Sequence, residues 1–234
     1  MKIPVRIAHI QEISPTVKSF TLALDGKPFT FLPGQWIDCF IDIDGRTEVA
    51  GYSMTSSPTE SGWFSIAVKL VGDNPVTDYL HERAAVGDTL IVEGGQGDFH
   101  HTRDHTHPLA LIAGGIGITP IASIIRFIDQ SGLQVPTTLI YSASAPSELL
   151  FREEFETIAT SNPNFRTHFT VTRPHTEPWN GNVGRISVAT LQDAGIDASA
   201  LCYICGPPEM IREILSALKE IGVPEERLRF EQWW

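Results

Sequence analysis

The feature that most constrains this chain is a change of rhythm near residue 100. Up to that point the apolar residues come in short alternating runs, VRIAHIQEI, TVKSFTLAL, QWIDCFIDI, EVAGYSM, WFSIAVKLV and DTLIVEG, broken by LDGK, IDGR, TESG and VGD. A period of two marks strands with one buried face, and Gly and Pro stand between the runs rather than inside them, as strand pairing requires. A small antiparallel β-barrel is the expected result. The segment DNPVTDYLHE breaks the pattern: Asn74 suits a helix N-cap and Pro75 a first helical position, so a short helix is expected there. After residue 108, apolar strands alternate with helices: PLALIAGG before TPIASIIRFIDQSG, TTLIYSAS before SELLFREEFETIA, FRTHFTVTR before SVATLQDAG, LCYICG before PEMIREILSALKEIG, then RLRFEQWW. That alternation predicts a parallel α/β sheet whose ligand lies beyond the carboxyl ends of the strands. The expected organisation is a β-barrel domain over 1–100, a linker over 101–108 and an α/β domain over 109–234.

At 234 residues the chain can bury two small cores, and no apolar run approaches the roughly 18 residues of a membrane span. Its start, MKIPVRIAHI, carries no secretory or organelle signal, so a soluble, cytoplasmic protein is expected. The net charge of -11 repels phosphate backbones and anionic lipid, which argues against nucleic acid or membrane as the main partner. The three cysteines, Cys39, Cys202 and Cys205, are too few for a disulfide framework or a four-thiolate cluster. Cys202 and Cys205 form a C-x-x-C, but residues three apart in a strand face opposite ways, which disfavours a thioredoxin-like or zinc role. His100, His101, His105 and His107 read as a solvated loop with no established ligand spacing, so no metal is expected.

Two glycine elements carry candidate chemistry in the second half. In Leu111–Pro120, LIAGGIGITP, a strand runs into glycines and a helix; the glycines let the backbone approach a pyrophosphate, while Thr119 and the helix amino terminus offer donors. Pro120 stands where the third glycine of G-x-G-x-x-G would be, so the ordinary dinucleotide fingerprint is not met. In CGPPEM, Gly206 clears a strand mouth, Pro207 can begin the next helix, and the Cys205 thiol falls at the carboxyl edge, or is simply a buried strand-end cysteine. In the first half the informative segments are FLPGQW (31–36), GYSMTSSP (51–58) and GDNPVT (72–77). A helix opening at Pro75 leaves the Val76 and Thr77 N–H groups free for a phosphate. Arg173 and Arg185 can grip a ribose or a 2'-phosphate, or be merely solvated.

Taken together and in order, FLPGQW, YSMTSSP, GDNPVTDYL, GGQGDF, AGGIGITP, CGPPEM and the closing FEQWW resemble the ferredoxin-NADP reductase superfamily over nearly the whole chain, and look closest to the subgroup of oxidoreductase NAD-binding domain-containing proteins. The resemblance implies an FAD-binding barrel followed by a Rossmann-like NAD(P)-binding domain, with hydride passing from NAD(P)H to FAD and electrons going on to a separate acceptor, protein or small molecule. It implies that Tyr52 stacks on the flavin ring and Ser53 bonds its N5, with Met54, Thr55, Lys69, Gly72, Val76 and Thr77 lining the flavin and its phosphates. Gly114, Gly115, Ile116, Gly117, Thr119 and Pro120 would hold the dinucleotide, together with Arg173, Gly206, Pro207 and Met210, and Cys205 would lie beside the nicotinamide. Glu231 would feed the Ser53 proton network and Trp233 would cover the flavin. Ser53, Cys205 and Glu231 are thus the candidate catalytic residues. The family pattern R-x-Y-S puts a phosphate-binding arginine where this chain has Ala50, which favours as an alternative a flavin reductase that uses flavin as a substrate. A third reading, a nucleotide-binding module without turnover, follows from fold not guaranteeing activity, and Ser53, Cys205 and Glu231 together argue against it.

Overall fold

The computed structural model describes residues 1–72, 74–174 and 178–232. Its contacts divide the chain into two units, Met1–Thr102 with Ala122–Ser131, and Arg103–Ile121 with Gly132–Trp234.

The first unit holds strands β1 (Ile3–Ser14), β2 (Val17–Ala23), β3 (Trp36–Ile43), β4 (Arg46–Ser53), β5 (Trp63–Lys69) and β6 (Thr89–Gln96), with helix α1 (Pro75–Glu82) between the last two. They form one antiparallel sheet in the order β4-β3-β6-β1-β2-β5. An antiparallel bridge between Met54 and Ile66 brings the two outer strands together, so the sheet curls into a barrel. The period of two is physical: in β1, Ile3, Val5 and Ile7 are buried while Pro4 and Arg6 are exposed, and the buried set packs with Phe20, Leu22, Phe64 and Ile66. β3 and β4 are joined by Asp44 and Gly45, both left-handed at φ 51° and 83°, the geometry that matches a tight hairpin to strand twist.

The second unit holds β7 (Leu109–Gly114), β8 (Thr137–Ala143), β9 (Phe165–Val171), β10 (Asn182–Val183), β11 (Leu201–Gly206) and β12 (Leu228–Gln232). All pair in parallel, in the order β10-β9-β8-β7-β11-β12. Every residue of β7 and β11 is buried, as expected of strands covered on both faces. Helices α2 (Ile118–Gln130), α3 (Arg152–Ser161), α4 (Val188–Asp193) and α5 (Pro208–Ile221) alternate with the strands, although most of α2 groups by contact with the first unit. Leu191 of α4 and Ile211, Ile214 and Leu218 of α5 share a core with Ile112, Cys202 and Ile204.

Two local expectations shift. Residues 115–117 form a 3₁₀ turn, so α2 starts at Ile118, and Pro120 sits in its first turn, where a missing N–H costs nothing. The segment after β8 makes a separate turn at Pro146–Glu148 before α3 begins at Arg152. No helix among the described residues is long and apolar enough to cross a membrane.

Candidate functional site

In the first unit, three of the sequence motifs meet through one side chain. Gln35 of FLPGQW accepts the Leu32 N–H on Oε1 at 2.8 Å, donates from Nε2 to the Gly97 carbonyl of GGQGDF at 3.1 Å, and through its own carbonyl accepts the Met54 N–H of YSMTSSP at 3.1 Å. The glycines make this approach possible. A Cβ on Gly34 would stand 2.5 Å from the Phe99 carbonyl oxygen, and one on Gly95 would stand 2.8 Å from that of Thr30. The tyrosine-serine segment is therefore clamped to both neighbouring loops by backbone contacts.

Tyr52 and Ser53 close β4. Burial pushes the Tyr52 phenol up, and both the Tyr52 hydroxyl and the Ser53 Oγ are buried without a hydrogen-bond partner among the described residues. Two adjacent unpaired buried hydroxyls are costly to a protein and mark a place where another group completes the bonding. The next two residues differ from the expectation. Met54 lies wholly in the barrel core, and the Thr55 hydroxyl pairs with the Ser65 hydroxyl at 2.8 Å, so neither side chain is open to a ligand. The backbone of Thr55 and Ser56 is gripped from α2, where Arg126 Nη1 donates to the Thr55 carbonyl at 2.6 Å and Ser123 Oγ to the Ser56 carbonyl at 2.7 Å. Gln130 reaches Thr59 and Glu60 from the same helix. Residues 123, 126 and 130 share one helix face, so this polar stripe was visible in the sequence spacing and went unread.

α1 forms where expected, but its first turn corrects one inference. The Val76 and Thr77 N–H groups are not free: both donate to Asn74 Oδ1, at 3.1 and 3.2 Å. The side chains of Val76 and Thr77 are buried, and the Thr77 hydroxyl sits 3.2 Å from the Val71 carbonyl and 3.1 Å from that of Asn74. The residue that makes Asn74 a good N-cap is the one that occupies the donors. Lys18 holds the other end of the helix by donating to the His81 carbonyl at 2.7 Å. Lys69 ends β5 opposite Val17, and Gly72 is exposed with open space around it.

In the second unit the chain runs from β7 outward through β8, β9 and β10, then returns to place β11 on the other side of β7. The strand order reverses between β7 and β11, and their carboxyl ends carry the two glycine elements. An open parallel sheet binds its ligand at such a switch point. The glycines there have distinct duties. A Cβ on Gly117 would stand 2.3 Å from the Cys205 carbonyl oxygen and 2.7 Å from the Gly206 nitrogen, so Gly117 lets one loop lie against the other. Those on Gly114 and Gly206 would meet the Met210 side chain at 2.4 and 2.5 Å. Met210 thus fills the space between two glycines, and the room they leave is taken by protein. Gly115 alone of the loop's glycines, at φ +54°, faces open space. Thr119 is buried and donates its hydroxyl to the Ile116 carbonyl at 3.0 Å, so it shapes the turn rather than offering a donor.

Cys205 is fully buried and pairs in register with Glu231 of β12, so these two candidates sit side by side on neighbouring strands. Pro207 is the exposed N-cap of α5, and Pro208, not Pro207, is the first helical residue. Arg173 follows β9, exposed, with its N–H on the Ser144 carbonyl at 2.8 Å. Arg185 is exposed and pairs with Glu209 and Glu213 at 3.3 and 3.0 Å. Trp233 lies outside the described residues. Burial pushes the Cys202 thiol up to about 12, which leaves it without thiolate character at neutral pH. The His105 ring lies 3.5 Å from the Tyr203 hydroxyl, and no group of three or more His, Cys, Asp or Glu among the described residues is arranged to hold a metal. One residue the sequence reading missed is Tyr141 of β8, wholly buried, whose hydroxyl lies 3.0 Å from the Gly115 carbonyl.

Two family models match the chain. The oxidoreductase FAD-binding domain matches residues 4–101 and the oxidoreductase NAD-binding domain matches residues 111–215. Oxidoreductase NAD-binding domain-containing protein 1 of Danio rerio is 36% identical over 98% of this chain and 91% of its own length. The chain belongs to the ferredoxin-NADP reductase-like family. It is an NAD(P)H-dependent flavin oxidoreductase of that family. Another relative of the family's reductases, the glycine betaine monooxygenase reductase subunit of Chromohalobacter salexigens, is 31% identical over 93% of this chain and 60% of its own length. The fold of the family is equally clear in a solved structure, the flavohem-like FAD/NAD-binding domain of nitric oxide dioxygenase from Vibrio cholerae, with a TM-score of 0.88, 24% identity and 98% of each chain covered.

The close approach of Gly117 gives a test. Gly117→Ala forces backbone to move and is expected to cost about 1–3 kcal/mol of stability, as overpacking does. Gly115→Ala meets no atom and carries only the strain of its positive φ, about 1 kcal/mol. Urea unfolding of the two variants should show the larger loss at Gly117; the reverse order would mean that the two loops are not in tight apposition.

Proposed function

We propose that this chain is a reductase that takes hydride from NAD(P)H onto bound FAD and passes the electrons to a separate acceptor. The observation that carries the reading is the pair of buried hydroxyls on Tyr52 and Ser53 that find no partner among the described residues, which suits a planar, heteroatom-edged ring. The switch point between β7 and β11, with Gly115 facing open space, supports a dinucleotide in the second unit. The reductase-subunit relative, matched over most of this chain, supports an electron-transfer role with a partner outside it.

When bound, the flavin supplies the two-electron redox chemistry that no side chain of the protein has. The chain's own residues bind and orient. Ser53 Oγ would donate to the ring edge and Tyr52 would lie against the ring, bordered by the backbone of Met54 and Thr55, with the Thr55 carbonyl held by Arg126 and the Ser56 carbonyl by Ser123. Lys69 and Gly72 would line the phosphate end, beside the first turn of α1, whose Val76 and Thr77 N–H groups are held by Asn74. Gly114 to Pro120 hold the pyrophosphate, Gly206, Pro207 and Met210 shape the opposite wall, and Arg173 meets the ribose end. Cys205 packs beside the nicotinamide, and Glu231 accepts and returns protons. Holding the reacting atoms in place is where most of the protein's share of the rate arises.

Ala50 favours a second reading, in which flavin binds weakly and is reduced as a substrate. Losing a charge-assisted bond to phosphate costs about 1.5–3 kcal/mol, roughly ten- to hundredfold in affinity. The purified protein separates the two readings. A yellow protein reduced by NADH or NADPH supports the first. A colourless protein that reduces added FAD supports the second, and a colourless protein that does neither ends both. Ala50→Arg should tighten FAD about ten- to hundredfold in a titration of apoprotein, and unchanged affinity would mean another cation already serves the phosphate. Ser53→Ala should slow anaerobic flavin reduction in stopped flow far more than it weakens flavin binding, and a wild-type rate would remove Ser53 from the catalytic set.

A further inference from the structure

The dinucleotide loop is shaped from below by a group that the chemistry does not use. Tyr141 lies in the middle of the parallel sheet, in register with Ala113 of β7 and Phe169 of β9, and its side chain is wholly buried. Its hydroxyl lies 3.0 Å from the Gly115 carbonyl and 3.1 Å from the Glu148 carbonyl, and it accepts the Leu150 N–H at 3.3 Å. A phenol has one proton, so the two carbonyls share it while the oxygen serves Leu150. Burial pushes this phenol up, which keeps the proton in place at any working pH. The Gly115 carbonyl also accepts the Ile118 N–H, so it is held on the protein side by two donors.

No peptide bond in the described chain is cis, and in a trans peptide the N–H points opposite to the C=O. Fixing the Gly115 carbonyl inward therefore fixes the Ile116 N–H outward. The positive φ of Gly115 lets the chain make that turn, and the space in front of Gly115 is open. We propose that Tyr141 is a positioning residue for the dinucleotide: it anchors the Gly115 carbonyl on the buried side of the loop and so aims the Ile116 N–H at the pyrophosphate of NAD(P)H. This rests on reading residues 114–120 as the dinucleotide site. Tyr141 touches no part of the nucleotide; it acts through one peptide plane.

Tyr141→Phe keeps the ring and removes only the hydroxyl. With the flavin-loaded full chain, the KM for NADH or NADPH and the affinity for NAD⁺ or NADP⁺ are expected to weaken about tenfold, the scale of one misdirected hydrogen bond to a charged group. kcat should stay within about twofold and the flavin spectrum should not change, since this bonding is made equally in ground and transition states. A purely structural role would lower the melting temperature and the active fraction while leaving KM alone, and that outcome overturns the proposal. If Tyr141→Phe does not fold, Gly115→Ala strains the same peptide from the open side; nucleotide affinity unchanged in that variant overturns the proposal equally. A wild-type protein that binds neither nucleotide would instead overturn the dinucleotide reading beneath it.

Discussion

Both units depend on backbone approaching backbone more closely than any side chain permits. Gly34 lies under the Phe99 carbonyl in the barrel, and Gly117 lies against the Cys205 carbonyl at the mouth of the parallel sheet. In each case a Cβ would fall within 2.5 Å of a main-chain oxygen, which cannot yield as a side chain can. The consequence is rigidity where a ligand would be held. Loops are normally the softest part of a domain, and these are turned into walls by being packed like strands. The flexible property of glycine matters much less here than its lack of volume.

Around those fixed loops, polar groups divide into two kinds. Thr55, Thr77, Thr119 and Tyr141 spend their hydroxyls on the protein itself. Tyr52 and Ser53 do not, although their hydroxyl oxygens are buried too: neither finds a partner among the described residues. Within one segment, Ser53 is unpaired in this way and Thr55 is paired two residues later, the contrast on which the proposed binding role of Ser53 rests. Residue type alone cannot make that distinction.

This explains how much of the molecule was legible in the sequence. The barrel and the parallel sheet were, because a period of two and the alternation of strands with helices record burial directly, as in Ile3, Val5 and Ile7 of β1 and the wholly buried β7 and β11. The site was legible as an address but less so as a mechanism. Asn74 was readable as a helix cap, yet the same fact meant that Val76 and Thr77 had already given their donors away. The glycines of AGGIGITP were readable as a loop for pyrophosphate, while only the fold reveals that Met210 and Cys205 take up the room at Gly114 and Gly117. Tyr141 left no signal, since a tyrosine in a strand is ordinary and its partner at Gly115 is 26 residues away in the chain.

The charge of the chain sharpens the point. A protein with a net charge of -11 that binds two phosphate-bearing molecules cannot rely on its overall field to hold them. Two candidate cations do not serve: the family's arginine is Ala50, and Arg185 is shared by Glu209 and Glu213. Beside Lys69 and Arg173, more of the binding then falls to the peptide group, whose N–H dipoles bind anions strongly when they are aimed and fixed beforehand. Aiming is the work of neutral residues such as Tyr141, whose hydroxyl orients a peptide without adding charge. An anion held this way is recognised by shape and direction.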